Sequence, residues 1–332
     1  CIRDRGNGPL IADGNKVQGN FIGLAANGTD PLGNGGFGVK INAAAGNLIG
    51  GPEPKHRNIV SANGTPGMNR FGIYIEFENS GLGNTIQGNY VGTDVTGMVD
   101  VGNVSAGILI NNASNIQILD NLVSGNGGGG IVLWQGEPYE PAYTYENIIS
   151  GNIVGLNSDA SGLLGNDYEG ISINRSRNNI IGGESIEEAN IIGGNDGAGL
   201  SLSFSATGNI ILNNYIGYNP VNKSAIPNSS GIRIDENATN NQIGDLNENG
   251  NYIAFNENTG VLIRSAKNTL LGNSIWENGT EGVQIFGNTS TDSYGNTLSQ
   301  NLIFDNVQMG IDLNGDGPTP NDVPLDPDIG PN

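Results

Sequence analysis

Gly260-Val-Leu-Ile-Arg-Ser-Ala-Lys-Asn268-Thr-Leu-Leu-Gly-Asn273-Ser-Ile-Trp-Glu-Asn-Gly-Thr-Glu281 decides the fold. It contains three short aliphatic runs. The first follows a glycine, and each of the other two follows an asparagine. In Gly260-Val-Leu-Ile263 the apolar residues alternate, as in a strand with two side chains inward and one outward. Three strands and three corners in some twenty residues make one turn of a three-sided coil. A leucine-rich repeat of similar length needs a leucine skeleton, and a propeller blade needs roughly 40 residues or more.

The same unit recurs along the whole chain. The glycine-led strand appears at Gly38-Val39-Lys40-Ile41, Gly72-Ile73-Tyr74-Ile75 and Gly107-Ile108-Leu109-Ile110. It returns from Gly130, Gly170, Gly199, Gly231, Gly260 and Gly282, and at Gly310-Ile311-Asp312-Leu313. The second strand opens at Asn15, Asn47, Asn84, Asn115, Asn147, Asn179, Asn209, Asn241, Asn268 and Asn296. The third opens at Asn20, Asn58, Asn89, Asn121, Asn152, Asn190, Asn214, Asn251, Asn273 and Asn301. No coil alone buries its aliphatic face. Stacked coils bury a continuous column of Ile, Val and Leu, with strands about 4.8 Å apart. The sequence therefore predicts an all-β, single-stranded right-handed parallel β-helix. It has about ten coils of three short strands over 1–313, with 314–332 a polar tail or the start of a linker or cap. Two asparagine columns are expected to form hydrogen-bonded ladders at the corners. Asn and Gly also tolerate the left-handed backbone that sharp corners need.

Composition agrees. Of 332 residues, 55 are glycine and only 14 % are charged, which suits short strands and tight turns. Asp and Glu outnumber Lys and Arg by 33 to 13, for a net charge of −20. Such a surface repels nucleic-acid phosphates and anionic membranes. No apolar run is long enough to span a membrane. Cys1 is the one cysteine, so no intrachain disulfide forms. The chain opens in mid-pattern with no signal peptide, as a mature product or a fragment does.

Runs such as Asn84-Thr-Ile-Gln-Gly-Asn-Tyr-Val-Gly-Thr-Asp-Val-Thr-Gly97 and Asn179-Ile-Ile-Gly-Gly183 resemble the repeats of bacterial secreted or cell-surface parallel β-helix proteins of the pectin-lyase-like superfamily. The ending Gly310-Ile-Asp-Leu-Asn-Gly-Asp-Gly-Pro-Thr-Pro-Asn-Asp322 resembles the end of the helical region in those proteins. The resemblance covers nearly all of the chain. It implies an extracellular or cell-surface location and a polysaccharide as partner. The superfamily holds lyases, hydrolases, epimerases, phage tailspikes and non-catalytic adhesins, and fold does not choose among them.

The residue inventory narrows the chemistry. His56 is the only histidine, in the loop Pro52-Glu-Pro-Lys-His-Arg57. That removes nucleophilic triads, and with the single cysteine it removes zinc. The outward column of the glycine-led strand reads Lys40, Tyr74, Leu109, Val132, Ser172, Ser201, Arg233, Leu262, Gln284, Asp312. Its flank includes Glu76, Asn111, Trp134, Asn174, Asp235, Arg264 and Asn314. No dense acidic groove appears, so the expectation leans away from an enzyme.

Two patches interrupt the regularity. One joins Trp134, Tyr139, Tyr143 and Tyr145 of the loop Trp134 to Glu146 to Arg175, Arg177 and the carboxylates Asp167 and Glu169. Aromatics beside Arg and carboxylates suit sugar rings, which stack on flat faces and hydrogen-bond at their rims. The other is Arg233, Asp235, Glu236 and Arg264. Asp312, Asn314 and Asp316 place oxygens at alternate positions before a glycine, as in the first half of a calcium loop; position twelve is Val323 rather than Glu. Ca2+ is the one cofactor this suggests. The leading expectation is an extracellular structural or polysaccharide-binding module of a surface protein. The alternatives are a polysaccharide lyase or glycoside hydrolase, and a self-assembling filament or sheath subunit whose partners are other copies of itself.

Overall fold

A computed structural model describes residues 12–77, 83–136, 144–235, 237–287 and 293–314. Three parallel sheets of ten strands each run along it. The glycine-led sheet extends from Val39–Asn42 to Ile311–Leu313. The second sheet extends from Lys16–Val17 to Thr297–Ser299, and the third from Phe21–Ile22 to Leu302–Phe304. The expected β-helix of ten coils is thus observed. Its only helices among the described residues are two single 3-10 turns, Pro54–His56 and Ile186–Glu188.

Register between coils follows the alternation in the sequence. Lys40 pairs with Tyr74, Tyr74 with Leu109, Leu109 with Val132 and Val132 with Ser172. The column continues through Ser201, Arg233, Leu262 and Gln284 to Asp312. Inward, Ile41, Ile75, Ile110, Leu133, Ile173, Leu202, Ile234 and Ile263 stack with 0 % exposure. Each such burial contributes roughly 1.5–3 kcal/mol.

The corners differ from expectation in three ways. First, there are three asparagine ladders, not two. The extra one links Asn34, Asn63, Asn103, Asn126, Asn166, Asn195, Asn228, Asn256, Asn278 and Asn306, each Nδ2 donating to the next Oδ1. Second, the ladder asparagines are not the left-handed residues. The residue just before each one commonly is, as at Gly14, Gly83, Gly151, Gly272, Gln300 and Asp305. Non-glycine residues there carry roughly 1–2 kcal/mol of backbone cost. Third, Asn115 is one of those left-handed residues, and buried Ile116 takes the ladder position, its N–H donating to Asn147 Oδ1.

On every second coil, from the first to the seventh, a loop at the third corner folds into a tight hairpin. The hairpins close at Leu24 with Pro31, Thr93 with Asp100, Leu156 with Leu163, and Tyr218–Asn219 with Ser224–Ala225. They stack into a rib: Val95 N–H donates to Gly28 O at 2.9 Å and Ser158 N–H to Gly97 O at 2.9 Å. In the fourth hairpin Pro220 has no N–H at this position, and Asn219 Nδ2 donates to Ala160 O instead, at 2.7 Å. The rib covers the outer face of the third sheet, where Leu156, Ala160 and Ile226 pack over Ile153 and Ile191.

Candidate functional site

The outer face of the glycine-led sheet carries a row of polar and aromatic side chains. Asn42, Glu76, Asn111, Trp134, Asn174 and Ser203 are in register on successive strands. The next two coils place Asp235 and Arg264 at the same level, where Asp235 N–H donates to Leu202 O and Arg264 N–H to Ile234 O. At one strand spacing per coil, Trp134 and Arg264 are about 19 Å apart along the axis.

The centre of the row is an aromatic and guanidinium cluster. The Arg175 guanidinium lies 5.3 Å from the Trp134 ring and 5.1 Å from the Phe204 ring. The two rings meet edge to face at 5.9 Å. Just past the strand ends, Phe77, Arg175 and Phe204 have φ of 58°, 51° and 52°. Bulky residues seldom adopt this left-handed backbone, and such strain concentrates at functional sites. Asn111 Oδ1 accepts from Gly136 N–H at 3.0 Å, which ties the start of the Trp134 loop to the row.

Further along, Asp235 binds two arginines. Arg264 grips it bidentately, Nε–Oδ1 at 2.6 Å and Nη2–Oδ2 at 2.9 Å, and Arg233 Nε approaches at 2.8 Å. Arg233 also reaches Glu169 at 3.0 Å. Glu169 therefore belongs to this group rather than to the aromatic patch where the sequence placed it.

At the other end lies a cluster that residue-by-residue reading missed. Lys40 Nζ is 2.5 Å from Glu76 Oε1, and Asn42 Nδ2 donates to the same oxygen. The ammonium lies 5.2 Å from the Phe37 ring and 5.0 Å from the Tyr74 ring. Phe71 closes the group at 5.2 Å from Tyr74. Burial pushes the Tyr74 phenol well above its ordinary value, and its hydrogen bond to Glu76 adds to this. For Glu76, burial works to raise the carboxyl, but hydrogen bonds from Lys40, Tyr74 and Asn42 outweigh it and hold it below 4.5. A depressed carboxyl stabilises the fold above its unfolded pKa and loses that effect as pH falls through the folded one. Glu76→Gln is therefore expected to cost about 2 kcal/mol at neutral pH, discounted for partial exposure from the cost of breaking a buried pair. The difference in melting temperature between wild type and variant should shrink toward zero below about pH 4.

The sequence model described as the right handed beta helix region matches residues 106–317, more than half of the chain. The chain belongs to the right-handed β-helix family. Its ten-coil β-helix is similar to the Dettilon tailspike protein, at 16 % identity and a TM-score of 0.56, over 87 % of this chain and 53 % of that one. It also resembles a periplasmic alginate epimerase (17 % identity, TM-score 0.48, 82 % of this chain, 61 % of that one). A third likeness is to an alginate lyase from a Paenibacillus species (13 % identity, TM-score 0.40, 86 % of this chain, 99 % of that one). At such identities the likeness is one of fold. The chain spans 53 % and 61 % of the tailspike and the epimerase. Curated protein sequences give no match.

Within this β-helix the expected aromatic patch divides. Arg175 joins Trp134, whereas Arg177 turns to the first corner and stacks on Tyr145 at 5.6 Å. Tyr139 and Tyr143 lie outside the described residues, as do Glu236 and Asp316. Of the other calcium candidates, Asp312 is buried and accepts from Gln284 Nε2 at 3.3 Å, and Asn314 follows the last strand. No group of three or more His, Cys, Asp or Glu among the described residues is placed to hold a metal ion. No described helix is long and apolar enough to cross a membrane. The Lys40, Tyr74 and Glu76 group had a sequence signal: Lys40 and Tyr74 stand in the outward column and Glu76 in its flank. Comparing the two columns coil by coil brings them together.

Proposed function

We propose that this chain is an extracellular polysaccharide-binding module of a surface protein. Its contact surface is the outer face of the glycine-led sheet, centred on Trp134, Arg175 and Phe204. The cluster of two rings and a guanidinium, two of its members on left-handed backbone, carries this reading. Sugars offer an apolar C–H face to aromatic rings and a rim of hydroxyls to polar groups. Asn111, Asn174 and Asp235 supply the polar partners on neighbouring coils, and the straight row suits an extended chain. A glycan array probed with wild type and with Arg175→Ala tests it. Wild type is expected to retain acidic or neutral polysaccharides that the variant releases. Equal retention by both would remove the cluster from the function.

A second reading, a polysaccharide lyase or glycoside hydrolase, has its own observation. Lys40, Tyr74 and Glu76 bring an amine, a phenol and a carboxylate into mutual contact beside two further rings, Phe37 and Phe71, the kind of perturbed group from which acid–base sites are built. Release of shortened chains from uronate or neutral polysaccharides, abolished by Tyr74→Phe, would establish it.

A further inference from the structure

The rib of hairpins stops short of the last described coil. Hairpins rise from the first, third, fifth and seventh coils over the outer face of the third sheet. By that alternation a fifth is due on the ninth coil, after Ile275. There the chain instead takes the short corner Trp276-Glu277-Asn278. On the ninth coil Trp276 is met edge-on by Tyr218 of the last hairpin, at 5.2 Å, and among the described residues no hairpin covers the outer face of the third sheet on the tenth. Leu302 and Phe304 are 60 % and 40 % exposed there, Val307 just past the corner is 73 % exposed, and Trp276 stacks on Phe304 at 6.0 Å. The rib ends as a step down onto this recess.

We infer that the step is a self-complementary docking surface and that its occupant is a second copy of this chain. Two copies placed antiparallel, with a two-fold axis at the step, lower the last hairpin of each into the recess of the other. Such an isologous contact closes as a dimer. Side-chain chemistry on the two halves of the step matches. The last hairpin carries Val221 at its tip, 79 % exposed, to meet the apolar recess. It also carries Lys223, exposed, the only Lys or Arg on the four hairpins. The recess is rimmed by Glu277 and Asp305, so the one cation of the rib meets two carboxylates. The open apolar face is of the kind that marks protein contacts.

Sedimentation equilibrium over a range of concentrations tests this, using the full chain. Wild type is expected to rise from monomer to twice the monomer mass. Leu302→Lys and Lys223→Glu, both on exposed positions, are expected to stay monomeric with unchanged circular dichroism. Lys223→Glu combined with Asp305→Lys is expected to recover the doubled mass. A wild type that stays monomeric at every concentration would overturn the inference. So would a dimer that persists in Leu302→Lys and Lys223→Glu, because the contact would then lie elsewhere.

Discussion

Asn152→Ala is expected to lower the stability of the solenoid by about 4 kcal/mol, read as a fall in the urea midpoint. The amide of Asn152 is fully buried in the middle of a ladder. Its Nδ2 donates to Ile118 O at 2.9 Å, to Ser150 O at 3.0 Å and to Asn190 Oδ1 at 2.9 Å. Its Oδ1 accepts from both the backbone N–H and the Nδ2 of Asn121. Truncation removes these bonds together and leaves carbonyl and amide groups of three coils without partners. A buried polar group left unsatisfied costs about 1–3 kcal/mol, and no shift of an aliphatic neighbour supplies a replacement. Loss is also expected to spread, because coils are held by their immediate neighbours. Hydrogen exchange should accelerate first in the coils of Asn121 and Asn190.

Gly231→Ala is expected to cost about 3 kcal/mol, at the upper end for overpacking. Gly231 heads the seventh glycine-led strand with a φ outside the left-handed region, so the reason for glycine is space rather than backbone freedom. A Cβ there would lie 2.5 Å from Ile253 Cγ2 and 3.0 Å from Asn256 Nδ2, and closer still to the Gly260 carbonyl oxygen. Backbone and ladder cannot both yield, since the same oxygen accepts the Ile232 N–H that joins the coils. The melting temperature of the variant measures this directly. A change within a degree of wild type would show that the corner is looser than its contacts require.

Much of the fold was legible because one short rule generates it. Alternation in Gly-aliphatic-any-aliphatic names the inward and outward residues, and the outward column read from it is the observed register from Lys40 to Asp312. The third ladder escaped because the rib hairpins separate its asparagines from the strand before them on alternate coils. Asn63 follows Val60 almost at once, whereas Asn103 stands twelve residues beyond Val91. A spacing that alternates in this way does not show as a period. Ile116 in place of asparagine escaped because Asn115 stands next to it and suits the left-handed position. At the site, Trp134 and Arg175 were visible because they flank an interruption of the repeat. Phe204 was not, since its meeting with Arg175 depends on two left-handed residues that no local pattern specifies. The Lys40 cluster depended on contacts between coils some 34 residues apart in sequence, as between Asn42 and Glu76.

The central claim is that polysaccharide contacts the cluster of Trp134, Arg175 and Phe204. The most direct measurement uses Trp276→Phe, which leaves Trp134 as the only indole, titrated with each polysaccharide that the array retains. The account predicts a saturable change in Trp134 emission whose midpoint matches the binding constant measured by calorimetry, and loss of both in Arg175→Ala. Saturable binding by calorimetry with Trp134 emission unchanged would contradict it.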